Sequence, residues 1–301
     1  MRDLPGGGVE QVEHAQTGTR LGEGLRDGGP LLPAAIDRTL EAVRDFTQRA
    51  EAHGAALASI ATSAVRRADN AAEFGDRMRA VTGVPLQVLT GRAEAQCSFR
   101  GATYGTESSG ARVAVLDVGG GSTECAVGRD GALEDALSIE IGSVRVSERR
   151  PALMGGAPGP AARAAAAEAR AEIAERLQPF AAFAPVDEVR CVAGTPLTIG
   201  AIVAASHVDR VSGQTLSRAS LDATIERLLD LPLAERRALP GMLPQRADVL
   251  AGGGLIVSEA LRLLGADACR LEANDLLLGF LLESRPSLEA ARGASNDART
   301  G

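Results

Sequence analysis

The residues best equipped for chemistry lie in one run, Leu116-Asp117-Val118-Gly119-Gly120-Gly121-Ser122-Thr123-Glu124. An apolar strand delivers an acid at its end, and three glycines then allow backbone conformations that other residues resist. A second apolar stretch, Cys125-Ala126-Val127, leaves at once. Amides turned inward on such a hairpin make a phosphate cradle. A dinucleotide fingerprint differs, because there a helix opens after the glycines. The plainer alternative is a tight glycine turn with Asp117 and Glu124 solvated. A second turn, Ala193-Gly194-Thr195, follows an apolar strand and precedes a helix. Its amides suit a second phosphate or a nucleotide, and equally a purely structural strand-to-helix turn. Arg66 falls just after another strand, where a guanidinium can fork onto phosphate oxygens or simply face water. Glu94 falls in the first turn of a helix, a place where a carboxylate also favours the helix dipole.

The elements that must position these residues alternate between strand and helix. The segment from Pro33 to Gly54 has Ile36, Leu40, Val43 and Phe46 at helical spacing, with proline at the start and glycine as a stop. ALASIATSAVR reads as a short buried strand running on into a helix, and Asn70 is placed to cap the helix AAEFGDRMRAVTG. VPLQVLTG is a further strand, and GRAEAQCSFRGATYG carries Glu94 on a helix. After the polar link GTESSG at 105–110, residues 111–146 read as a three-strand meander with an Arg-Asp-Gly turn. An alanine-rich helix, a strand with its Gly-Thr turn and helix, and a mainly helical remainder follow. This pattern predicts an α/β layer structure with one unit over 1–109, a second over 110–285 and a flexible tail at 286–301. The first residues read as a turn followed by a strand over VEQVEHAQ, as if a partner strand preceded them.

Composition narrows the chemistry. The 301 residues include 32 basic ones, and every one is arginine. A P-loop, a protein-kinase site and a Schiff-base enzyme each need a lysine, so all three are excluded. Codon bias toward GC-rich triplets is a sufficient cause of that pattern, but the chemical consequence holds regardless: phosphate must be met by amides, arginine and metal. Aromatic residues make up 2% with no tryptophan, and the net charge is -7. Neither stacking platforms nor long-range attraction for nucleic acid are therefore expected. Four cysteines without CxxC spacing and three histidines argue against zinc and for a reducing, cytoplasmic setting. No stretch of about 18 apolar residues is present, so no membrane span is expected.

The set TRLGEGL (19–25), IATSAVRRADN (60–70), VLTGRAEAQCSFRGA (88–102), VLDVGGGSTE (115–124), SIEIGSVRV (138–146), VAGTPLTIGAI (192–202) and LPQRADVLAGG (243–253) resembles, in order, the exopolyphosphatase and guanosine pentaphosphate phosphohydrolase family. The likeness is to its shorter members and runs from about residue 17 to about residue 282. It implies an actin-like ATPase (ribonuclease H-like) fold of two α/β domains around a cleft. It also implies hydrolysis of terminal phosphate from polyphosphate or guanosine pentaphosphate with Mg²⁺, or Mn²⁺, and homodimerisation as an option. On the family's motifs Glu94 is the catalytic base, with Ala93 where the family has another acid. Asp117 holds the metal and Glu124 helps position metal or water. Gly119, Gly120, Gly121, Ser122 and Thr123 bind phosphate, as do Arg66, Gly194 and Thr195. The family's opening strand and first phosphate loop have no counterpart in the sequence. Two expectations compete on that point: a misplaced start codon, or a truncated, non-catalytic relative that binds polyphosphate or guanosine pentaphosphate. A small-molecule kinase of the same fold is a third reading, disfavoured by the glutamate base.

Overall fold

The computed structural model describes residues 1–4, 8–26 and 28–284. The chain opens on a small antiparallel hairpin, β1 (Arg2–Asp3) and β2 (Val9–Glu10). The strand expected over VEQVEHAQ is thus only two residues long. No strand pairs with residues 11–16 among the described residues, and an unpaired strand would leave its amides to water. Helix α1 (Pro33–Ala52) starts on proline as expected and buries Ala35, Ile36 and Leu40 against Leu31, Val65, Phe74 and Met78. Strand β3 (Ser59–Ala61) runs into the short helix α2 (Ser63–Arg67), which carries Arg66. It is only partly buried, not the core strand its apolar residues suggested. After α3 (Ala71–Thr82), β4 (Leu86–Val88) returns parallel to β3. Asn70 does precede α3, but its side chain does not cap it: the amide oxygen accepts from Leu31 N–H at 2.9 Å and the amide nitrogen donates to Leu31 C=O at 3.2 Å. A tertiary pair of hydrogen bonds has displaced the local one.

Helix α4 (Gly91–Thr103) lies across the main sheet, which begins with the meander β5 (Arg112–Val118), β6 (Thr123–Arg129) and β7 (Ala132–Ile139). The meander is as expected up to Ile139. The expected third strand stops there, and Ser143–Arg149 forms helix α5 instead. The reason lies in the glycine loop. The carbonyls of Gly119 and Gly120 accept from the first amides of α5, at 2.9 Å for Ser143 and 3.1 Å for Val144. The approach is so close that a Cβ on Gly142 would sit 2.4 Å from the Gly120 carbonyl. A continuing strand could not satisfy those carbonyls.

Helices α6 (Pro160–Leu177), α7 (Gly194–Val203), α8 (Arg218–Asp230), α9 (Leu233–Arg237) and α10 (Leu250–Leu263) follow, with β8 (Glu188–Val192), β9 (Thr215–Ser217) and β10 (Ala268–Leu271) among them. The six strands stand in the order β7-β6-β5-β8-β10-β9. Parallel pairs occupy the centre and antiparallel ones both sides. The remainder is mainly helical as expected; β9 and β10 are its exceptions, too short to show periodicity and made strands by pairing, β10 with β8 and β9 with β10. Helix α10 is buried almost all round. On its Gly252-Gly253-Gly254 run, Cβ atoms would lie 2.5 Å from Ser147 Oγ, 2.7 Å from Thr195 Cγ2 and 2.8 Å from Ile225 Cγ1. Those glycines let three neighbouring helices approach one backbone. Residues 276–284 form a last helix that crosses α4, where a Cβ on Gly279 would lie 1.8 Å from the Cys97 carbonyl and one on Gly101 2.0 Å from that of Asp275. The tail expected at 286–301 lies outside the described residues. No helix among the described residues is long and apolar enough to cross a membrane.

Candidate active site

Register makes the site. In the hairpin β5–β6, Asp117 stands directly opposite Glu124, and in β6–β7 Glu124 stands opposite Ser138. Residues opposite one another share a face, so two carboxylates and a hydroxyl form one row across the sheet. Helix α4 covers that face through Ala95, Phe99 and Ala102. Its helical spacing brings Glu94 and Ser98, four residues apart, over the row. The Ser98 hydroxyl donates to Asp117 Oδ2 at 2.6 Å, and Ser138 donates to Glu124 Oε1 at 2.6 Å.

Burial dominates the electrostatics. It pushes the Asp117 carboxyl up to about 7, with Ser98 opposing and Asp275 and Glu94 adding repulsion. Burial likewise raises Glu124 well above the ordinary carboxylate range, helped by the charges of Glu94 and Asp117. Glu94 is 6% exposed. Burial raises its carboxyl, and Arg66 pulls the other way from 3.0 Å. Asp117 and Glu124, desolvated, opposite one another and pressed by the charge of Glu94, form a receptor for positive charge.

The glycine loop closes the site on one side. Gly119, Gly120, Gly121 and Ser122 line a cleft of about 390 Å³ together with Glu94, Ser63, Arg67, Val144 and Arg145. The loop carbonyls are taken by α5, whereas the N–H groups of Gly120 and Gly121 have no acceptor among the described residues. Amides left without a protein acceptor suit an anion. Thr123 differs from its neighbours: it is fully buried and donates to Ile141 C=O at 2.6 Å, so its hydroxyl secures the hairpin.

Gly194 and Thr195 do not line this cleft. They follow Ala193, whose φ of 70° makes the sharp step from β8 into α7. Thr195 is buried against Gly253, and Gly194 is roofed by Arg246, whose Cζ would be 2.1 Å from an added Cβ. Arg246 in turn faces the Asp117 charge. Ser98, Ser138, Glu140 and Arg246 are site residues that the sequence alone did not single out. Ser98 lies one helical turn beyond Glu94, but its meeting with Asp117 depends on how α4 docks; the Asp130-Gly131 turn alone would set Glu124 opposite Leu137, and a bulge between Val127 and Gly128 brings Ser138 there instead.

A hairpin of apposed acids, a glycine loop with two unpaired amides and a helix-borne glutamate paired to arginine thus meet at one place. The family described as "Ppx/GppA phosphatase family" matches residues 3–287. This chain belongs to the Ppx/GppA phosphatase family. It is 34% identical to Exopolyphosphatase 2 of Mycobacterium tuberculosis, over 93% of this chain and 91% of that one. The crystal structure of an exopolyphosphatase-like protein superposes with a TM-score of 0.83 at 28% identity, covering 93% of each chain. An exopolyphosphatase from Cytophaga hutchinsonii superposes with a TM-score of 0.78 at 22% identity, over 90% of this chain and 88% of that one. These Ppx/GppA neighbours establish the expected actin-like ATPase fold, and membership makes the chain a phosphatase, a hydrolase of phosphate bonds.

Proposed function

We propose that this Ppx/GppA protein is an exopolyphosphatase, releasing terminal orthophosphate from inorganic polyphosphate. The observation that carries the reading is Glu94, a buried carboxylate held by Arg66 at 3.0 Å beside the open amides of the glycine loop. Glu94 accepts the proton of the attacking water, and its raised proton affinity brings it nearer neutral pH, where a base works best. Arg66 and the amides of Gly120 and Gly121 stabilise charge on the transferring phosphoryl group, and Ser122 helps shape the cradle. Asp117 and Glu124 are the metal ligands of this reading. Among the described residues no group of three or more His, Cys, Asp and Glu side chains stands ready to hold a metal. Mg²⁺ typically takes one or two carboxylates and completes its shell with water and phosphate oxygens, so a two-carboxylate row fits it, and Mn²⁺ suits the same oxygens. When bound, such an ion supplies charge neutralisation on the phosphate oxygens. Gly194 and Thr195 serve this site by seating Arg246.

Guanosine pentaphosphate presents the same kind of terminal anhydride and is the second substrate of the proposal. The setting is the cytoplasm, and assembly as a homodimer is part of the same reading. The test is Glu94→Gln assayed on polyphosphate with Mg²⁺. The variant should melt like the parent and release phosphate at least about 10²-fold more slowly, the low end for general-base catalysis. Turnover equal to the parent's would remove Glu94 from the reaction.

A further inference from the structure

One carboxylate beside the cleft, in contact with its lining residues Ser63, Arg67 and Arg145, is not accounted for by hydrolysis. Glu140 leaves the end of β7 and reaches into a group of cations. Its Oε1 accepts from Arg66 Nη2 at 2.8 Å, and its Oε2 accepts from the Ser63 hydroxyl at 2.7 Å. Arg145 lies 3.4 Å and Arg67 3.7 Å from the same Oε2. Arg145 also donates to the Glu140 carbonyl at 2.7 Å, which fixes the backbone beneath the carboxylate. The glycine loop borders this group directly, since a Cβ on Gly121 would lie 2.9 Å from Ser63 Oγ. Two oxygens held by a serine hydroxyl and a guanidinium, with two further arginines close by, reproduce the way a phosphate is held. The carboxylate also remains one-third exposed, which leaves it a path outward into water.

We infer that Glu140 is a built-in competitor for the phosphate subsite: its carboxylate and a substrate phosphate use the same Ser63 and Arg66 donors and exclude each other. The inference rests on the phosphate reading of the cleft given above. A polyanion that brings several charges, together with the amides of Gly120 and Gly121, displaces the carboxylate outward. A single orthophosphate left after cleavage holds the donors less well, and the returning Glu140 expels it. Glu140 thereby sets the affinity for phosphate ends and limits retention of product. No bond is made or broken in this exchange.

The opposing account is that Glu140 merely orients Arg66 toward Glu94, and the two differ in sign. Loss of an orienting partner weakens anion binding, whereas loss of a competitor strengthens it. Orthophosphate binding is measured by titration calorimetry on the parent, Glu140→Gln and Glu140→Ala, at fixed ionic strength. Binding about tenfold tighter or more is expected in both variants, the worth of one charge-assisted hydrogen bond. Unchanged or weaker binding overturns the inference, as does the absence of binding in all three proteins. Should the neutral variants fail to fold, Glu140→Asp is measured in their place. It keeps the charge but retracts it by one methylene, and binding tighter than the parent's is again required. Orthophosphate binding involves no turnover, so a Glu94→Gln variant with the parent's turnover would remove Glu94 from the reaction without deciding this point.

Discussion

At the scale of the residue, the decisive arrangement is Asp117 opposite Glu124 under the hydroxyls of Ser98 and Ser138. Apposed like charges oppose folding. Burial raises Asp117 from 3.8 to about 7, so between those values the folded protein without cation binds more protons than the unfolded chain. Stability contributed by that site is therefore greatest at the acid end of the window and falls as pH rises through it. Asp117→Asn should flatten this decline in a series of thermal melts at constant ionic strength. A divalent ion should reverse it, raising the melting temperature more at about pH 8 than at about pH 5, since only the ionised row attracts it. A melting curve in which Mg²⁺ acts equally at both values would contradict the assignment of the ligands. Asp117 was legible in the sequence because its strand and glycines are contiguous with it. Its partner Ser98 was not, since their meeting depends on how α4 docks. The family's motif makes Thr123 a phosphate ligand, but its hydroxyl donates to the Ile141 carbonyl within the hairpin.

At the scale of the element, the glycine loop and α5 form one unit, joined where Gly142 meets Gly120. The backbone of Gly142 is extended, at φ -147°, so alanine is barred there by space alone. Gly142→Ala should lower unfolding stability by about 1–3 kcal/mol, the usual cost of overpacking. It should also raise KM for polyphosphate, because the loop must shift to admit the methyl group. Gly156→Ala, with nothing within 4 Å of the added carbon, is the matched control for both urea midpoint and KM. The meander and most helices were readable from alternation, helical spacing and turn residues. The end of β7 was not: Ser138 to Val146 alternates well enough for a strand, and only the carbonyls of a loop some 20 residues earlier turn it into a helix start.

At the scale of the whole molecule, polar contacts tie distant parts of the chain, as Tyr104 to Val9, Arg190 to Ala102 and Gln96 to Glu283 do. Arg20 reaches Asp248 at 2.6 Å and the Gln245 carbonyl at 3.3 Å. Asp248 is the buried partner, its side chain 9% exposed against 36% for Arg20. Arg20→Ala should therefore destabilise more than Asp248→Ala, by about 1–3 kcal/mol, because it strands a buried carboxylate. The double variant should recover part of that loss, and strictly additive effects would show that the pair is not coupled. The α/β class was legible from the alternation of elements, while β9 and β10 needed the finished sheet to exist at all. The crossing of α4 by residues 276–284 has a further consequence. With Gly101 and Gly279 allowing backbone against backbone, amides in the middle of α4 reach solvent only when the outer helix lifts away. In deuterium exchange the two helices should label together, at one rate, and the lifetime of an intact Glu94 site is then the residence time of the last helix on its neighbour.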